Sequence, residues 1–277
     1  MSEDIIPHVS INHTAASTIL FIHGALASPR DFLNVSSHLP SYHSLIPSLP
    51  SHSQSQFIKT FSISTTIDLL AVLVRSNAKS SKSHVVGHSL GAEVALAYAA
   101  KYPELVETLY ISGYRRLVIP PYISSVLPYV ASGSKQLENM IPRATVGRWM
   151  DIDFNWPITG PLKHDIDPKS IPETPNSVKL SKEILEALSS KEEVHPLPMR
   201  TLIVAATKGN WYLPTNDSIP EAKRILQTVK LGNAASRAAQ VPSMRHPWNL
   251  QDPTLFARSV EAWIERSDLL EEFEEIQ

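Results

Sequence analysis

Strand-length apolar runs alternate with longer helical patterns along most of this chain. Residues 18–22 (TILFI) and 201–206 (TLIVAA) are rich in β-branched side chains, whereas residues 64–77 place apolar side chains at helical spacing. This alternation is typical of βα units, in which helices cover both faces of a mostly parallel sheet, so we expect an α/β fold. The predicted strands are 18–22, 43–46, 84–86, 106–112, 201–206 and 238–241, and the predicted helices are 28–39, 64–77, 90–101, 220–230 and 253–267.

The balance of charged and apolar residues argues against several function classes. Lys and Arg total 25 and Asp and Glu total 27, so binding to nucleic acid or to a membrane surface has little electrostatic support. No window reaches the roughly 18 apolar residues of a membrane span, and MSEDIIPHVS lacks the regions of a signal peptide. We expect a soluble, cytoplasmic protein.

The chain has no cysteine, which removes disulfides, cysteine-based metal sites and a thiol nucleophile together. Its histidines and carboxylates lack the short spacing of a zinc site, and no glycine-rich phosphate loop is present. We therefore expect no metal and no cofactor. No feature of the sequence indicates an oligomeric state.

Residues 117–198 interrupt the βα alternation. This segment carries 11 of the 22 prolines, two tryptophans and no strong strand pattern. Because long structureless loops are rare in compact domains, it predicts an inserted cap between two parts of one core, residues 1–116 and 199–277. A long surface excursion is the alternative. Aromatic residues such as Trp149 and Trp156 would line the substrate side of such a cap, or form its own small core.

The sequence HVVGHSLGAE places Ser89 between Gly87 and Gly91, after a strand pattern and before an alanine-rich helix. The two glycines allow a tight strand-to-helix turn that leaves the serine hydroxyl exposed at the end of the sheet. The helix N-terminus behind it favours a developing negative charge. We interpret Ser89 as a nucleophile, with a merely structural turn as the alternative.

Three segments together resemble the α/β-hydrolase superfamily: LFIHGALAS, VVGHSLGAEVALAYAAKYPE and RHPWNLQDPTLFARSVEAW. They follow one another in the order and spacing of that family, with the cap inserted after the strand that follows the elbow helix. The chain starts almost at the TILFI strand, so the first hairpin of many members is expected to be missing or reduced. In this and in its small cap it is similar to compact esterases acting on methyl esters and lactones, and to related hydroxynitrile lyases and hormone receptors.

The resemblance implies a role for each matching position. Ser89 becomes the nucleophile, and the backbone N–H groups of Ala25 and Leu90 become the oxyanion hole. His23 is then expected to be a structural histidine beside the hole rather than a base, and His88 to line the pocket or pack. Four residues are retained as substrate-binding candidates: His23, His88, Trp149 and Trp156.

The family orders its triad as serine, acid, histidine, so the base is expected late in the chain. Only His164, His195 and His246 follow the elbow helix, and the first two fall in the predicted cap or beside it. His246 precedes Pro-Trp and a helix start, in the loop where the family places its base. A histidine of an ordinary surface loop is the alternative.

The acid has two candidate positions. When the family's usual spacing is counted from the end of the TLIVAA strand, the acid position falls on Asn210. An asparagine cannot supply the charge that stabilises the imidazolium. Counted back from the next helix, NDSIPEAKRIL gives the family's acid, spacer, proline and helix, and assigns Asp217 in a longer loop. We favour Asp217. Asp252, followed by Pro253, is more simply a helix N-cap.

The predicted function is that of a serine hydrolase cleaving a carboxylic ester or lactone of a small, fairly hydrophobic metabolite through an acyl-enzyme. The alternatives are a lyase or cyclase of this fold, a ligand receptor, and a pseudoenzyme. An asparagine at the acid position would favour a lyase or cyclase.

Overall fold

The computed structural model describes residues 5–58, 60–114, 126, 128–129, 132–133, 141–153, 166–175, 177–189, 193–209 and 215–277. Strands of this part form one eight-stranded sheet in the order β1-β3-β2-β4-β5-β6-β7-β8. The strands are β1 (His8–Ile11), β2 (Ser17–Ile22), β3 (Tyr42–Pro47), β4 (Ser83–His88), β5 (Val106–Ser112), β6 (Thr201–Ala206), β7 (Arg237–Val241) and β8 (Glu274–Glu275).

The middle of the sheet is parallel and its two edges are antiparallel. Strands β2 to β7 pair in parallel, whereas β1 pairs antiparallel with β3 and β8 with β7. The predicted mostly parallel α/β sheet is therefore confirmed. The first hairpin that many members of the family carry is expected to be missing or reduced in this chain. Before β2 the described residues form one strand, the four-residue β1.

Eight α-helices lie in the described part of the chain. They are α1 (Leu33–Ser37), α2 (Ile63–Asn77), α3 (Leu90–Lys101), α4 (Arg143–Met150), α5 (Val178–Leu188), α6 (Ile219–Val229), α7 (Trp248–Gln251) and α8 (Pro253–Ile264). None of them combines the length and apolar character needed to cross a membrane.

Two apolar layers cover the sheet, one on each face. Alternate side chains of β2 point to opposite faces, as the pleat of a strand requires. Leu20 and Ile22 pack in the layer that contains α2, α3 and α6, and Ile19 and Phe21 pack in the layer that contains α1 and α8. Because both faces are covered, the carboxyl edge of the parallel strands is the surface on which loops can build a site.

Two predicted helices are shorter than expected. The 28–39 segment divides into a 3₁₀ turn at Pro29–Phe32 and helix α1, and Ser28 caps the turn. The 253–267 helix ends at Ile264, and Arg266 adopts a left-handed φ of 62°, a conformation that stops a helix.

The predicted cap is described in part. Helix α4 and the 3₁₀ turn Pro168–Ser170 lie within it, and so does α5. The buried residues Leu180, Ile184 and Ala187 of α5 pack in the same apolar layer as α2 and α3. The end of this segment therefore joins the core, and the cap of 117–198 as a separate unit stays a prediction.

Candidate active site

Ser89 stands at the turn between β4 and α3 in a conformation that few non-glycine residues adopt. Its φ of 58° and ψ of −122° turn the chain sharply between the strand and the helix. Its own N–H donates to Ser112 O at 2.9 Å, and its carbonyl accepts from Ala92 N at 2.9 Å. The strained turn is thus held from both sides, and Ser89 is partly exposed at the carboxyl end of β4.

The two elbow glycines allow the helix to approach the sheet closely. A Cβ on Gly91 would lie 2.0 Å from Ile22 O, and one on Gly87 would lie 2.3 Å from Gly91 O. Both distances are far below van der Waals contact. Glycine at these two positions is therefore required by packing, which explains the sequence pattern around Ser89.

His246 lies in the loop after β7 and contacts Ser89 directly. Its Nε2 is 3.0 Å from Ser89 Oγ, and its Nδ1 is 2.6 Å from Asp217 Oδ1. Its backbone N–H donates to Thr215 O at 2.7 Å, which joins the histidine loop to the loop after β6. The three residues predicted as nucleophile, base and acid therefore meet in one hydrogen-bonded chain.

Asp217 is held rigidly at the end of the loop after β6. Its Oδ2 accepts from Ala206 N at 2.8 Å and its own N–H donates to Ala206 O at 2.7 Å. The residue is 5% exposed, so its second oxygen is satisfied by backbone and its first faces His246. Asn210, the competing position, lies outside the described residues. Asp252 caps α8 as predicted, accepting from Leu255 N at 2.8 Å.

Gly113 limits the space around the imidazole. It follows β5 with a φ of +70°, and a Cβ there would lie 2.7 Å from His246 Cε1 and 3.3 Å from His88 Cε1. Both the backbone conformation and the contact demand glycine. The sequence analysis did not single out Gly113, because a glycine directly after a sheet strand indicates a turn but not a contact with a distant histidine.

Trp248, two residues after His246, anchors the loop that carries this histidine to the core. Its ring is fully buried against Phe256 at 4.4 Å between ring centroids, and its Nε1 donates to Ser112 Oγ at 2.7 Å. Ser112 also accepts, through its carbonyl, the N–H of Ser89. One strand end therefore supports both the nucleophile and the base. The tryptophan of the RHPWN segment was the available signal for this role.

The predicted oxyanion-hole amides lie beside Ser89. Strands β2 and β4 pair with Ile22 opposite Gly87, which brings their following loops together. A Cβ on Gly24 would lie 3.1 Å from Ser89 Cβ, so the residue before Ala25 touches the nucleophile. No backbone carbonyl of the described residues accepts from the N–H of Ala25 or Leu90. Their role as an oxyanion hole stays a prediction.

His23 lies behind this loop rather than on a surface that a substrate reaches. The side chain is fully buried, its Nδ1–H donates to Gly24 O at 2.9 Å, and its Nε2 accepts from Leu49 N at 3.2 Å. Burial, with a smaller effect of nearby His52, lowers the pKa of His23 to about 3, so the ring is neutral. The substrate-binding assignment of His23 is corrected to a structural one, because both ring nitrogens are occupied by backbone.

His88 packs against His246 from within the elbow. Their ring centroids are 5.0 Å apart, and His88 is 6% exposed. Burial and then the neighbouring His246 lower the pKa of His88 well below its usual range, so it contributes a neutral ring. Packing is thus the observed state of His88. Trp149 is 38% exposed on α4, and Trp156 lies outside the described residues.

The described residues contain no group of three or more histidines, cysteines and carboxylates that could hold a metal ion. The groups that meet at this edge of the sheet are the hydroxyl of Ser89, the imidazole of His246 and the buried carboxylate of Asp217.

A family model described as the alpha/beta hydrolase family matches residues 19–259, which is most of the chain. The chain belongs to the alpha/beta hydrolase family. A relative in Gibberella zeae, described as an AB hydrolase superfamily protein, is 32% identical over 278 residues, covering 100% of this chain and 89% of that protein. Lipase 3 of a Moraxella species is 28% identical over 112 residues, 40% of this chain and 36% of the lipase.

Solved structures of alpha/beta hydrolases share the fold. A thermophilic esterase from Thermogutta terrifontis superposes with a TM-score of 0.67 and 17% identity, covering 94% of this chain and 93% of the esterase. At this identity the likeness concerns the fold. The relatives of this chain include proteins named as lipases, which supports a hydrolase.

Proposed function

We propose that the protein is a serine hydrolase that cleaves a carboxylic ester or lactone of a small, fairly hydrophobic metabolite through an acyl-enzyme. The observation that carries this proposal is the chain of contacts from Ser89 Oγ to His246 Nε2 at 3.0 Å and from His246 Nδ1 to Asp217 Oδ1 at 2.6 Å. In an alpha/beta hydrolase, such a chain at a strained strand-to-helix turn supports nucleophilic catalysis.

The acylation step follows from the tautomer that Asp217 selects. Its carboxylate accepts the Nδ1–H of His246, which leaves the Nε2 lone pair facing Ser89. As Ser89 Oγ attacks the carbonyl carbon, its proton passes to Nε2. The tetrahedral intermediate then collapses, the bond to the alcohol oxygen breaks, and His246 returns the proton to that oxygen.

Deacylation reverses these roles with water as nucleophile. Water attacks the acyl carbon of the Ser89 ester while His246 Nε2 takes its proton. The second tetrahedral intermediate releases the carboxylic acid and Ser89 Oγ recovers the proton. Throughout, the buried Asp217 carboxylate stabilises the transient imidazolium, and its Ala206 N–H bond keeps it in place.

The amides of Ala25 and Leu90 would stabilise the negative oxygen in both intermediates. They are fixed by the loop after β2 and by the start of α3 before charge develops, so no reorganisation is needed when it appears. The N-terminus of α3 adds a favourable field at the same point. This arrangement favours acyl transfer over a simple binding function.

The substrate class is inferred from the relatives and from the cap. Proteins named lipase and esterase act on esters of carboxylic acids, and the predicted cap carries aromatic side chains such as Trp149. An apolar cover over the carboxyl edge would favour hydrophobic acyl or alcohol groups over acetate. Trp149→Ala is then expected to raise KM for aromatic esters more than for acetate esters.

The deciding experiment combines a fluorophosphonate probe with a panel of p-nitrophenyl esters. We expect labelling and turnover in the wild type, and their loss in Ser89→Ala, by about 10⁴- to 10⁶-fold in kcat. Ser267→Ala, an exposed serine outside the site, is the matched control and should be unaffected. Ester turnover that survives in Ser89→Ala would rule out this mechanism. A folded wild type that is neither labelled nor active would favour a receptor or pseudoenzyme.

A further inference from the structure

A second buried histidine lies behind the oxyanion loop. We use this name for residues 24–27, which connect β2 to the first 3₁₀ turn. His52 is fully buried in the loop after β3, and its ring meets that of His23 at 5.2 Å between centroids. It belongs to none of the segments that carry the family resemblance, and no step of the proposed reaction uses it.

Both ring nitrogens of His52 are bonded to backbone. Nδ1 lies 2.8 Å from Pro50 O, and because a carbonyl can only accept, Nδ1 carries the proton. Nε2 is then unprotonated and accepts the N–H of Leu26 at 3.3 Å. Burial lowers the pKa of His52 to about 4, against the opposing effects of the Pro50 bond and of Glu183, so this tautomer persists at neutral pH.

The contacted amide belongs to a residue in an unfavourable conformation. Leu26 has a φ of 56°, the left-handed region that a leucine rarely adopts without support. The bond from its N–H to His52 is a specific interaction available to hold it there. The next residue, Ala27, is held by a second interaction. Thr174 Oγ1 donates to Ala27 O and accepts from Ser53 N, which joins this residue to the loop that carries His52.

The two histidines support the oxyanion loop on either side of Ala25. His23 binds the carbonyl of Gly24, and His52 binds the amide of Leu26. The Ala25 N–H, which would point at the oxyanion, belongs to the same peptide group as the Gly24 carbonyl that His23 binds, and the next peptide group, which contains the Leu26 N–H, is held by His52. Its direction therefore depends on both.

The loop that carries His52 is itself tightly ordered. Ser51 and Ser53, on either side of it, adopt left-handed φ values of 61° and 41°, which turn the chain around the histidine. Ser48 Oγ donates to His52 O at 2.9 Å. Such a loop can hold the imidazole in place against the strain at Leu26.

We propose that His52 is a positioning residue for the oxyanion hole: its Nε2 holds the Leu26 amide, and through it directs the Ala25 N–H toward the developing charge. This role rests on the proposed function. It predicts an effect on the transition state rather than on substrate binding, because the hole engages the oxyanion more strongly than the ground-state carbonyl.

Two amide variants separate the two bonds of the ring. In His52→Gln the side-chain carbonyl reaches the place of Nε2 and can accept from Leu26 N–H. In His52→Asn the shorter amide ends near the place of Nδ1, where it can donate to Pro50 O but cannot reach Leu26. Both remove the imidazole and both are neutral, so they differ in which of the two ring bonds is kept: the one to Leu26 in His52→Gln and the one to Pro50 in His52→Asn.

We expect His52→Asn to lower kcat by about 10²-fold with KM changed less than about threefold, and His52→Gln to retain kcat within about tenfold. The second-order rate of fluorophosphonate labelling should fall in parallel, since the phosphonyl oxygen occupies the same hole. The apparent pKa of the kcat/KM profile should stay that of the wild type in both variants, because the Ser89–His246 pair is untouched. Thermal unfolding is measured alongside.

A merely structural role predicts a different pattern. The melting temperature would then fall in both variants while kcat per folded molecule stays at the wild-type value, and this result would overturn the proposal. Loss of kcat that is equal in the Gln and Asn variants would also overturn it, since the Nε2 contact would not matter. Absence of Ser89-dependent turnover in the wild type would instead defeat the hydrolase proposal, and the positioning role with it.

Leu26→Gly provides a second test, which asks whether His52 acts through the strained residue that it contacts. Glycine adopts a φ of 56° without strain, so it reduces the need for the His52 contact. We expect the Asn-to-Gln difference in kcat to shrink at least about threefold in the Leu26→Gly background. A difference that persists unchanged would show that His52 does not act through Leu26.

Discussion

Arg245 Nε lies 2.8 Å from Asp151 Oδ2, which joins the residue before His246 to the end of helix α4 in the predicted cap. The same guanidinium donates to Gly209 O at 2.8 Å and to Thr215 Oγ1 at 3.1 Å, on both sides of residues 210–214. Lys208 contacts Asp151 at 2.9 Å, and hydrogen bonds from Lys208 and then Arg245 lower the pKa of this carboxyl. One ion-pair cluster thus connects the cap segment with the loops of both the base and the acid.

Asp151→Asn tests this connection. The pair is partly exposed, so its loss should change the free energy of unfolding by less than about 1 kcal/mol. We expect kcat/KM to fall severalfold at low ionic strength and to lose most of its dependence on salt between about 0.01 and about 1 M, because salt already screens the wild-type pair. The control is Glu104→Gln, which removes an exposed ion pair with Arg75 that is distant in sequence from Asp151 and Arg245. Equal salt profiles for Asp151→Asn and the wild type would contradict the coupling.

Gly113→Ala tests the space around the base. The new Cβ would lie 2.7 Å from His246 Cε1 and 3.0 Å from Nδ1, and alanine is disfavoured at a φ of +70°. The imidazole must move, so we expect kcat to fall by at least about 10²-fold. Gly133→Ala, whose Cβ would meet none of the described residues within 4 Å, is the matched control for adding a methyl group. Wild-type kcat in a folded Gly113→Ala protein would show that His246 does not need its observed position.

The strands and helices that carry long apolar patterns could be predicted well. The predicted bounds 90–101, 106–112 and 201–206 coincide with α3, β5 and β6, because each run is continuous and ends at breaking or polar residues. Strand β8 has two exposed residues and no apolar pattern of its own. It is assigned through its pairing with β7, next to which Ile276 N donates to Ala238 O, and local sequence does not encode these contacts between distant segments.

The candidate site also contains residues that the sequence could predict and contacts that it could not. Ser89 is marked by a local turn, and Asp217 by its spacing to the proline at the start of α6, so both could be named from sequence. The contacts of Arg245, Gly113 and His52 arise where loops from distant parts of the chain meet, and no short pattern predicts them. Buried polar contacts of this kind depend on the assembled fold.

The buried histidines predict a specific loss of stability in acid. The pKa of His23 is about 3 and that of His52 about 4 in the folded protein, below the ordinary value of 6.5, because burial disfavours the charged rings. The unfolded chain therefore binds these protons first. The stabilisation is fully present above about pH 6.5 and is lost as the pH falls toward the folded pKa values, each group contributing up to about 1.4 kcal/mol per pH unit.

Comparison with His52→Gln isolates one of these protons. The free energy of unfolding, measured by urea unfolding between about pH 7 and about pH 4, should fall less steeply with decreasing pH in the variant. Its slope should correspond to up to one proton fewer taken up on unfolding, because glutamine does not titrate. Glu183 and His23 are the titratable groups that face His52, and both remain in the variant. Identical slopes for the two proteins would mean that His52 is not held neutral by the fold.

Asp217→Asn tests the acid directly. The carboxylate accepts from two donors, Ala206 N–H at one oxygen and His246 Nδ1–H at the other. An amide has one oxygen, so its NH₂ group would face one of these donors, and the imidazole would be driven to the wrong tautomer without a countercharge. The analogous change in a serine protease costs about 10⁴ in kcat, and we expect a loss of similar size with the fold retained.

The competing position is tested in the same assay. If Asp217 orients His246, Asn210→Asp should have little effect or lower activity by adding a second charge nearby, and Asp252→Asn should leave kcat unchanged because asparagine also caps helix α8. If Asn210 occupied the acid position instead, Asp217→Asn would be nearly silent and Asn210→Asp would raise ester hydrolysis. The three variants are compared by kcat on one p-nitrophenyl ester from about pH 5 to about pH 9, a range that spans the ordinary titration of histidine. The second outcome would also favour lyase or cyclase chemistry, since a site without its anion is poorly suited to repeated acylation and deacylation.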